Sequence, residues 1–423
     1  MPLPVNITVL LGMSWTLILL VLYWAAPKVL GRRVEQITLP HALVVVVLVA
    51  LLVRLLPNLL LPVGAGYDIE SYQIVGNLVL RGEDVYTSQE ALRRHPYLPC
   101  QMYWMALSLW LSQTMHLPFV KVVRLNPILF DVGIAATLVV FFRRRSVSQA
   151  FQSGLLYALN PVPVLVSAYH GQFDAVPAFF LLLSIGLVQA SPFWAGACLG
   201  MGILIKSWPG LGLPSLMVAL PDWRQRLRFL LASALFPAIG ITGYTLFFNA
   251  PVWTVIERAI SYNWGVGVWG YTYFFHLLSV LKPESGALFA WLVRYGRYLT
   301  LLALGLIWLW RARREPVSEG VLKILVAFFA VTHAFSIQYL MWVVPFALLV
   351  RDRGTRQWLF RYSLAVFCYM FLTYATLILT PAITEWLPWN HANTFIIRPS
   401  ALPGWFVTVF WLADIMRKNC YRG

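Results

Sequence analysis

Charge is what this chain has least of. Only 11% of its residues are Asp, Glu, Lys or Arg, and just 16 of all 423 are acidic. A soluble domain carries about 25% charged residues, so a freely solvated globule is excluded. Cysteine is scarce as well, with four in the chain. Cys198 and Cys368 fall inside apolar runs, Cys420 sits in the C-terminal tail and Cys100 stands alone, so no disulfide is predicted. There is no CxxC, HExxH, P-loop or GxGxxG, which removes classical zinc, ATP and dinucleotide chemistry. Internal repeats and low-complexity tracts are missing too.

What is present is hydrocarbon. Apolar residues make up 60% of the chain and mean hydropathy is +0.72. Runs of about 20 apolar residues recur, each long enough to cross ~30 Å of bilayer core. The first, 5–26, has neither a basic leader nor a small-residue cleavage site before Pro27-Lys28, so it reads as a retained helix. The net charge of +16 invites a nucleic-acid reading, but its distribution argues for topology. Twenty of the 32 basic residues cluster at Lys28/Arg32/Arg33, Arg143–Arg145, Arg224/Arg226/Arg228, Arg311/Arg313/Arg314/Lys323, Arg351/Arg353/Arg356/Arg361 and Arg417/Lys418/Arg422. Only six acids (Glu35, Asp222, Glu315, Glu319, Asp352 and Asp414) fall on the same side. Short basic segments spaced two crossings apart are the positive-inside signature. No nucleic-acid partner is expected; the partner is the lipid bilayer.

Threading the chain through those clusters predicts an all-α polytopic membrane protein of about 13 hydrophobic helices. The N-terminus is placed outside and the C-terminus in the cytoplasm, in a multi-pass prokaryotic plasma-membrane protein. The spans are 5–26, 38–61, 122–142, 149–169, 175–190, 193–205, 209–220, 229–249, 289–310, 320–335, 339–350, 357–380 and 403–416. Two pairs, 193–205/209–220 and 320–335/339–350, are too short to cross alone and read as short helices meeting at polar external turns. Residues 1–36 form an additional N-terminal helix, 37–350 a core containing the external loop 62–121, and 351–423 the C-terminal helices. The external segments 62–121, 250–288 and 381–402 are rich in Trp, Tyr and Pro, including Trp264, Trp269, Tyr271, Tyr273, Trp386 and Trp389. Such aromatics suit a headgroup belt or stacking on a sugar ring.

Four constellations carry chemistry. The first is Asp68 and Glu70, in a loop at the mouth of the second span and ahead of an amphipathic interfacial helix expected over 73–86. One carboxylate there could take a proton from a hydroxyl while its neighbour orients substrate; Tyr72 adds a ring beside them. The second is Tyr169-His170-Gly171-Gln172-Phe173-Asp174, whose donors and acceptors suit sugar hydroxyls or a phosphate. Asp174 would equally serve as the N-cap of the helix beginning at Ala175, with Pro177 shortly after. The third is Lys206 inside an apolar hairpin, a charge that needs a partner, a phosphate or a snorkelling route to water. Arg297 is its candidate fellow cation. The fourth is Ser336-Ile337-Gln338-Tyr339 with Trp342 and Pro345, where Tyr339 and Trp342 share a helix face at i, i+3.

Taken in order, these stretches resemble the GT-C class of polyprenol-phosphate-sugar glycosyltransferases, most closely bacterial and GPI mannosyltransferase I-like members. The likeness lies in Tyr67-Asp68-Ile69-Glu70, in Gly76-Asn77-Leu78-Val79-Leu80-Arg81-Gly82-Glu83-Asp84-Val85-Tyr86 against "GxxxLxGxDxY", and in Gly171-Gln172-Phe173-Asp174. It continues through the Lys206 to Pro209 hairpin and the "QYxxWxxP" element from Gln338 to Pro345. Pro96-Tyr97-Leu98-Pro99 departs from the family's "YPPL". The resemblance implies inverting transfer of a hexose, mannose in the first instance, from a polyprenyl-phosphate-linked donor to a glycan or glycolipid acceptor on the outer face. It implies Asp68 as catalytic base. Glu70, Tyr72, His170, Gln172, Asp174 and Tyr339 would bind sugar or acceptor, and Lys206 and Arg297 the donor phosphate, where negative charge builds up. No metal site is assigned; a divalent cation at Asp68/Glu70 is left open, two acids being too few ligands to define one. The competing class is a transporter or flippase for lipid-linked sugars, which predicts paired broken helices in two related halves.

One contact is expected from depth alone. Arg54 lies eight residues before the outer end of its span and Asp131 nine residues into the next, ~12 and ~13.5 Å deep at 1.5 Å per residue. Antiparallel neighbours bring such charges level, so the two should pair and brace the helix that leads to Asp68.

Overall fold

A computed structural model describes residues 5–30, 37–61, 63–143, 146–260, 265–350, 352–384 and 388–418. Arg32, Arg33, Glu35, Arg144, Arg145, Trp264, Arg351, Trp386, Cys420 and Arg422, and the boundary expected at 36, lie outside the described residues. Among the described residues there is no strand. The chain forms two compact units, Met1–Tyr262 and Asn263–Gly423.

The first unit holds α1 (Val5–Leu30), α2 (Leu39–Leu60), α3 (Gly66–Leu80), α4 (Gln101–Thr114), α5 (Phe119–Val123), α6 (Leu125–Phe142), α7 (Val147–Leu159), α8 (Pro161–Val164), α9 (Ala175–Leu187), α10 (Pro192–Ile205), α11 (Leu213–Val218), α12 (Trp223–Phe248) and α13 (Val252–Ile260). The second holds α14 (Tyr271–Leu281), α15 (Gly286–Trp310), α16 (Val317–Val331), α17 (Val343–Leu349), α18 (Arg353–Thr384), α19 (Trp389–Ala392) and α20 (Leu402–Lys418). This is an all-α, multi-pass membrane protein. Among the described residues, six stretches are long and apolar enough to cross a bilayer: Ile7–Pro27, Leu39–Leu60, Phe119–Phe142, Trp223–Phe248, Pro283–Arg314 and Trp389–Arg417. The expected figure of about thirteen is not reached by that measure among the described residues, because several apolar runs are short or broken.

The breaks have local causes. The run expected as one helix over 149–169 stops at Leu159, since the residue before a proline is pushed out of the helical region. Asn160 is extended (φ −63°, ψ 121°), and its side-chain Oδ1 accepts from the Val162 N–H at 3.0 Å to cap the start of α8. The backbone then widens into a π-helical turn, Leu165–His170. α10 likewise ends where Lys206 becomes extended, and a 3₁₀ turn, Trp208–Gly212, leads into α11. The second short pair, α16 and α17, is separated by the 3₁₀ turn Ile337–Met341. Both pairs are therefore short helices separated by irregular turns.

The segment 62–121, expected to be an external loop, differs from its sequence reading. The interfacial helix expected over 73–86 begins earlier, at Gly66, and ends at Leu80, so Asp68 and Glu70 lie on a helix and not in a loop. A second helix, α4, packs on it. Gly76 makes that approach possible: a Cβ there would sit 2.8 Å from the Met105 carbonyl oxygen. Small residues do the same for α10 and α12. A Cβ on Gly196 or Gly200 would fall 2.3 Å from the Phe229 carbonyl oxygen or 2.4 Å from that of Ser233, the small-xxx-small spacing of membrane helix pairs.

The predicted ion pair is present. Arg54 Nε donates to Asp131 Oδ2 at 2.5 Å, with both side chains fully buried. Asp131 also accepts from the hydroxyls of Tyr157 and Ser167, and Arg54 Nη1 donates to the Ala50 and Ala158 carbonyls. An unpaired ion at that depth would cost ~2.5–3.5 kcal/mol on insertion scales. The network ties α2, α6 and α7 to the π-helical turn directly below His170.

Candidate functional site

Asp68 occupies the first turn of α3, where the helix dipole favours a carboxylate. Its Oδ2 receives two hydrogen bonds, from His170 Nε2 at 2.6 Å and Gln172 Nε2 at 2.8 Å. The sequence places those two donors on either side of Gly171, whose φ of +87° only glycine adopts without strain. That left-handed turn closes the π-helical segment and swings both side chains onto one carboxylate oxygen. Oδ1 makes no hydrogen bond among the described residues, and the side chain is 27% exposed. Burial alone would raise the Asp68 carboxyl. The His170 hydrogen bond and charge, the Gln172 amide and the positive Lys206 outweigh it, holding Asp68 below the usual carboxylate range. The group is thus ionised at neutral pH, and His170 must carry its proton on Nε2 to donate to it.

Behind this pair lies a second, closed one. Lys206 Nζ donates to Asp174 Oδ2 at 2.8 Å, with almost nothing of either side chain exposed. The ammonium also lies 5.2 Å from the ring centroids of both Tyr97 and Phe173. Tyr97 meets Phe173 edge-on at 5.0 Å, and Phe173 in turn packs on Tyr72. The capping role expected of Asp174 is corrected here. Asp174 occupies the N-cap position of α9 but its side chain makes no cap hydrogen bond, because the buried ammonium takes it. The extended Lys206 at the end of α10 delivers that ammonium.

Glu70 points elsewhere. Residues two apart on a helix do not face each other, and Glu70 is exposed and paired with Arg94 at 3.1 Å. Arg94 also donates to Ser71 Oγ at 3.2 Å and lies over the Tyr67 ring. Asp68 and Glu70 therefore do not converge as a cation-binding pair. Tyr72 is buried against Phe173 on a third face of α3.

Sequence reasoning passed over Arg124. It is fully buried and donates to the carbonyls of Leu61 (3.3 Å), Val63 (2.6 Å) and Tyr169. Its guanidinium thus joins the strand of chain leading into α3 to the residue before His170, fixing the two halves of the Asp68–His170 contact. Gly64 leaves room for it: a Cβ there would sit 2.9 Å from Arg124 Nη2. The signal was a cation two residues into an apolar span. Tyr169 is anchored from the other side, its hydroxyl donating to the Gly12 carbonyl at 2.6 Å.

Arg297 and Tyr339 belong to the second unit. Tyr339 stacks on Trp342 at 4.3 Å, the i, i+3 pairing expected, within a group that includes Phe328 and Phe335. Arg297 lies on α15, its guanidinium 5.4 Å from the Tyr298 ring centroid.

The arrangement offers an ionised, half-open carboxylate held through one oxygen by His170 and Gln172, beside a buried ion pair and an aromatic wall. That set can accept a proton and bind hydroxyl-rich molecules. No curated protein matches the chain closely. A family model, glycosyltransferase family 87, matches residues 102–336, a stretch containing His170, Gln172, Asp174, Lys206 and Arg297 and starting after Asp68. The match covers more than half of the chain and agrees with its helical membrane architecture: the protein belongs to glycosyltransferase family 87, a family of GT-C type.

Proposed function

We propose that this membrane glycosyltransferase moves a hexose, mannose in the first instance, from a polyprenyl-phosphate donor to a glycan or glycolipid acceptor on the outer face, inverting the anomeric centre. The observation that carries the proposal is the Asp68 carboxylate, ionised and engaged through one oxygen only. In a single displacement the acceptor oxygen bonds to the anomeric carbon as the bond from that carbon to the phosphate oxygen breaks. The phosphate leaves with the electron pair, and the acceptor proton passes to Asp68. A carboxylate with a low pKa is a weak base, but the acceptor hydroxyl becomes strongly acidic once it bonds to an oxocarbenium-like carbon. Proton transfer then comes late, and a base that is ionised at neutral pH suits it.

In this reading His170 and Gln172 aim Asp68. Lys206, matched by Asp174, keeps Asp68 ionised and shapes the sugar site with Tyr72, while Arg297, within the second unit, is kept as a candidate cation for a phosphate group. Glu70 with Arg94 forms the acceptor rim, and Tyr339 offers a stacking face. Residues 37–350 make up the catalytic core in this proposal, followed by C-terminal helices 351–423.

The test is transfer of radiolabelled mannose from its polyprenyl phosphate by the purified protein in vesicles. Label appearing in a new glycan supports the reading; movement of intact donor across the bilayer without transfer supports a flippase instead. Orientation is checked with an impermeant thiol reagent. Glu90→Cys and Asn390→Cys should label from outside, and Arg226→Cys and Gly354→Cys should not.

A further inference from the structure

In the second unit, two segments that the proposed transfer does not use meet around a cavity of about 320 Å³. α14 contributes His276. The chain between α18 and α20 contributes Asn390, His391, Asn393 and Arg398. One guanidinium, two imidazoles and two carboxamides therefore converge, and no acid is among the described residues lining the cavity.

The cradle is built into the backbone. Gly267 has φ +83°, and its carbonyl accepts from Arg398 Nη1 at 3.3 Å. A Cβ at Gly267 would lie 2.7 Å from the His276 Cβ, so glycine lets the chain pass tightly beside the imidazole while it holds the guanidinium. The Tyr273 hydroxyl donates to the Thr394 carbonyl at 3.2 Å, fastening α14 to the π-helical turn Asn393–Ile397. Turns of that kind are frequent at functional sites. Two polar atoms here, Arg398 Nε and His276 Nε2, are buried with no hydrogen-bond partner among the described residues. Leaving such groups unsatisfied is costly.

A group with several anionic oxygens satisfies this donor set. A planar guanidinium matches phosphate geometry through paired N–H donors, and the volume lies at the small end of the range for ligand sites. Val280 and Phe395 line the same cavity with hydrocarbon, which suits an ester substituent beside the charge. We infer that this cavity binds a phosphate group, as the phosphate of a lipid ester or as the free anion. The inference rests on the lipid-phosphate chemistry proposed above for its biological meaning, and adds, within the second unit, a phosphate site that takes no part in the step at Asp68. Arg297 does not line it.

The test is isothermal titration of the detergent-solubilised full chain with geranyl phosphate and, separately, with inorganic phosphate. Arg398→Gln should weaken binding at least tenfold, Arg398→Lys less, and His276→Asn by an intermediate factor. Tighter binding of geranyl phosphate identifies a lipid ester as the source; equal binding identifies free phosphate. Either result supports the site when Arg398→Gln weakens binding at least tenfold. Wild-type affinity in Arg398→Gln and His276→Asn, or no binding of either probe to the wild type, overturns it. If Arg398→Gln does not fold, Asn393→Asp places a like charge in the cavity without removing the Gly267 contact. Undiminished affinity in that variant would also overturn the site. No turnover is involved, so failure here leaves the Asp68 reading standing, and failure of transfer chemistry leaves this binding intact.

Discussion

Two aspartates in the first unit, Asp131 and Asp68, are built from similar parts to opposite ends. Each accepts two or three hydrogen bonds from side chains on neighbouring elements. Asp131 is fully buried, with both oxygens engaged by Arg54, Tyr157 and Ser167. Asp68 is 27% exposed, and its bonds from His170 and Gln172 fall on one oxygen, leaving the other disengaged. The closed cluster has no capacity left for chemistry and holds helices together. The open one is aimed and only half satisfied. Saturation of the carboxylate, more than the presence of partners, separates the closed Asp131 from the half-open Asp68, the base proposed above.

The comparison breaks most severely at the brace. Asp131→Leu leaves Arg54 charged and alone in the apolar interior. Breaking a buried pair by removing one partner costs ~3–5 kcal/mol, so the variant should accumulate poorly and melt early. Arg54→Met in the same chain should recover much of the loss. Thermal midpoints of the two single variants and the double check this; additive losses would argue against pairing.

Next comes the clamp. Arg124→Gln removes the donors that tie Leu61 and Val63 to Tyr169. Misplacement of reacting groups by ~1 Å can cost about 10²-fold, so turnover should fall by about that factor while the protein stays folded. Arg124→Lys should recover part of it. An unchanged rate would remove Arg124 from the positioning of Asp68.

The smallest effect sharpens the electrostatic difference. His170 and Gln172 lower the Asp68 pKa, so Gln172→Leu should raise it toward the ordinary carboxylate value. Activity depends on the ionised form, and the acid limb of the pH–rate profile should therefore move to higher pH. The stabilisation contributed by ionised Asp68 is present above its ordinary pKa and is lost as pH falls through the lower folded value. A limb that stays in place or moves down would separate Gln172 from Asp68.

What could be read from the sequence follows the same division. Arg54 and Asp131 are conspicuous because charges inside apolar runs demand partners, and helix rise fixes their depth. The aromatic pair Tyr339 and Trp342 follows from helical spacing, and the membrane class from composition. The Asp68 centre was legible only as residue types. Its contact with His170 spans 102 positions of sequence and depends on a π-helical turn and a left-handed glycine, which no periodicity reveals. Asp174 looked like a cap because capping is a local signal, whereas Lys206 reaches it from another helix. α4 was hidden inside a segment read as loop, although Met102, Met105, Ala106 and Leu109 repeat at helical spacing and are buried.

The central claim is that Asp68 takes the acceptor proton. The direct measurement is the single-turnover rate of hexose transfer by purified Asp68→Asn, run beside its thermal midpoint and its binding of the polyprenyl-phosphate donor. The account predicts wild-type folding and donor binding with a rate lower by about 10²–10⁴-fold, the usual cost of losing a general base. Transfer at a near wild-type rate would contradict it.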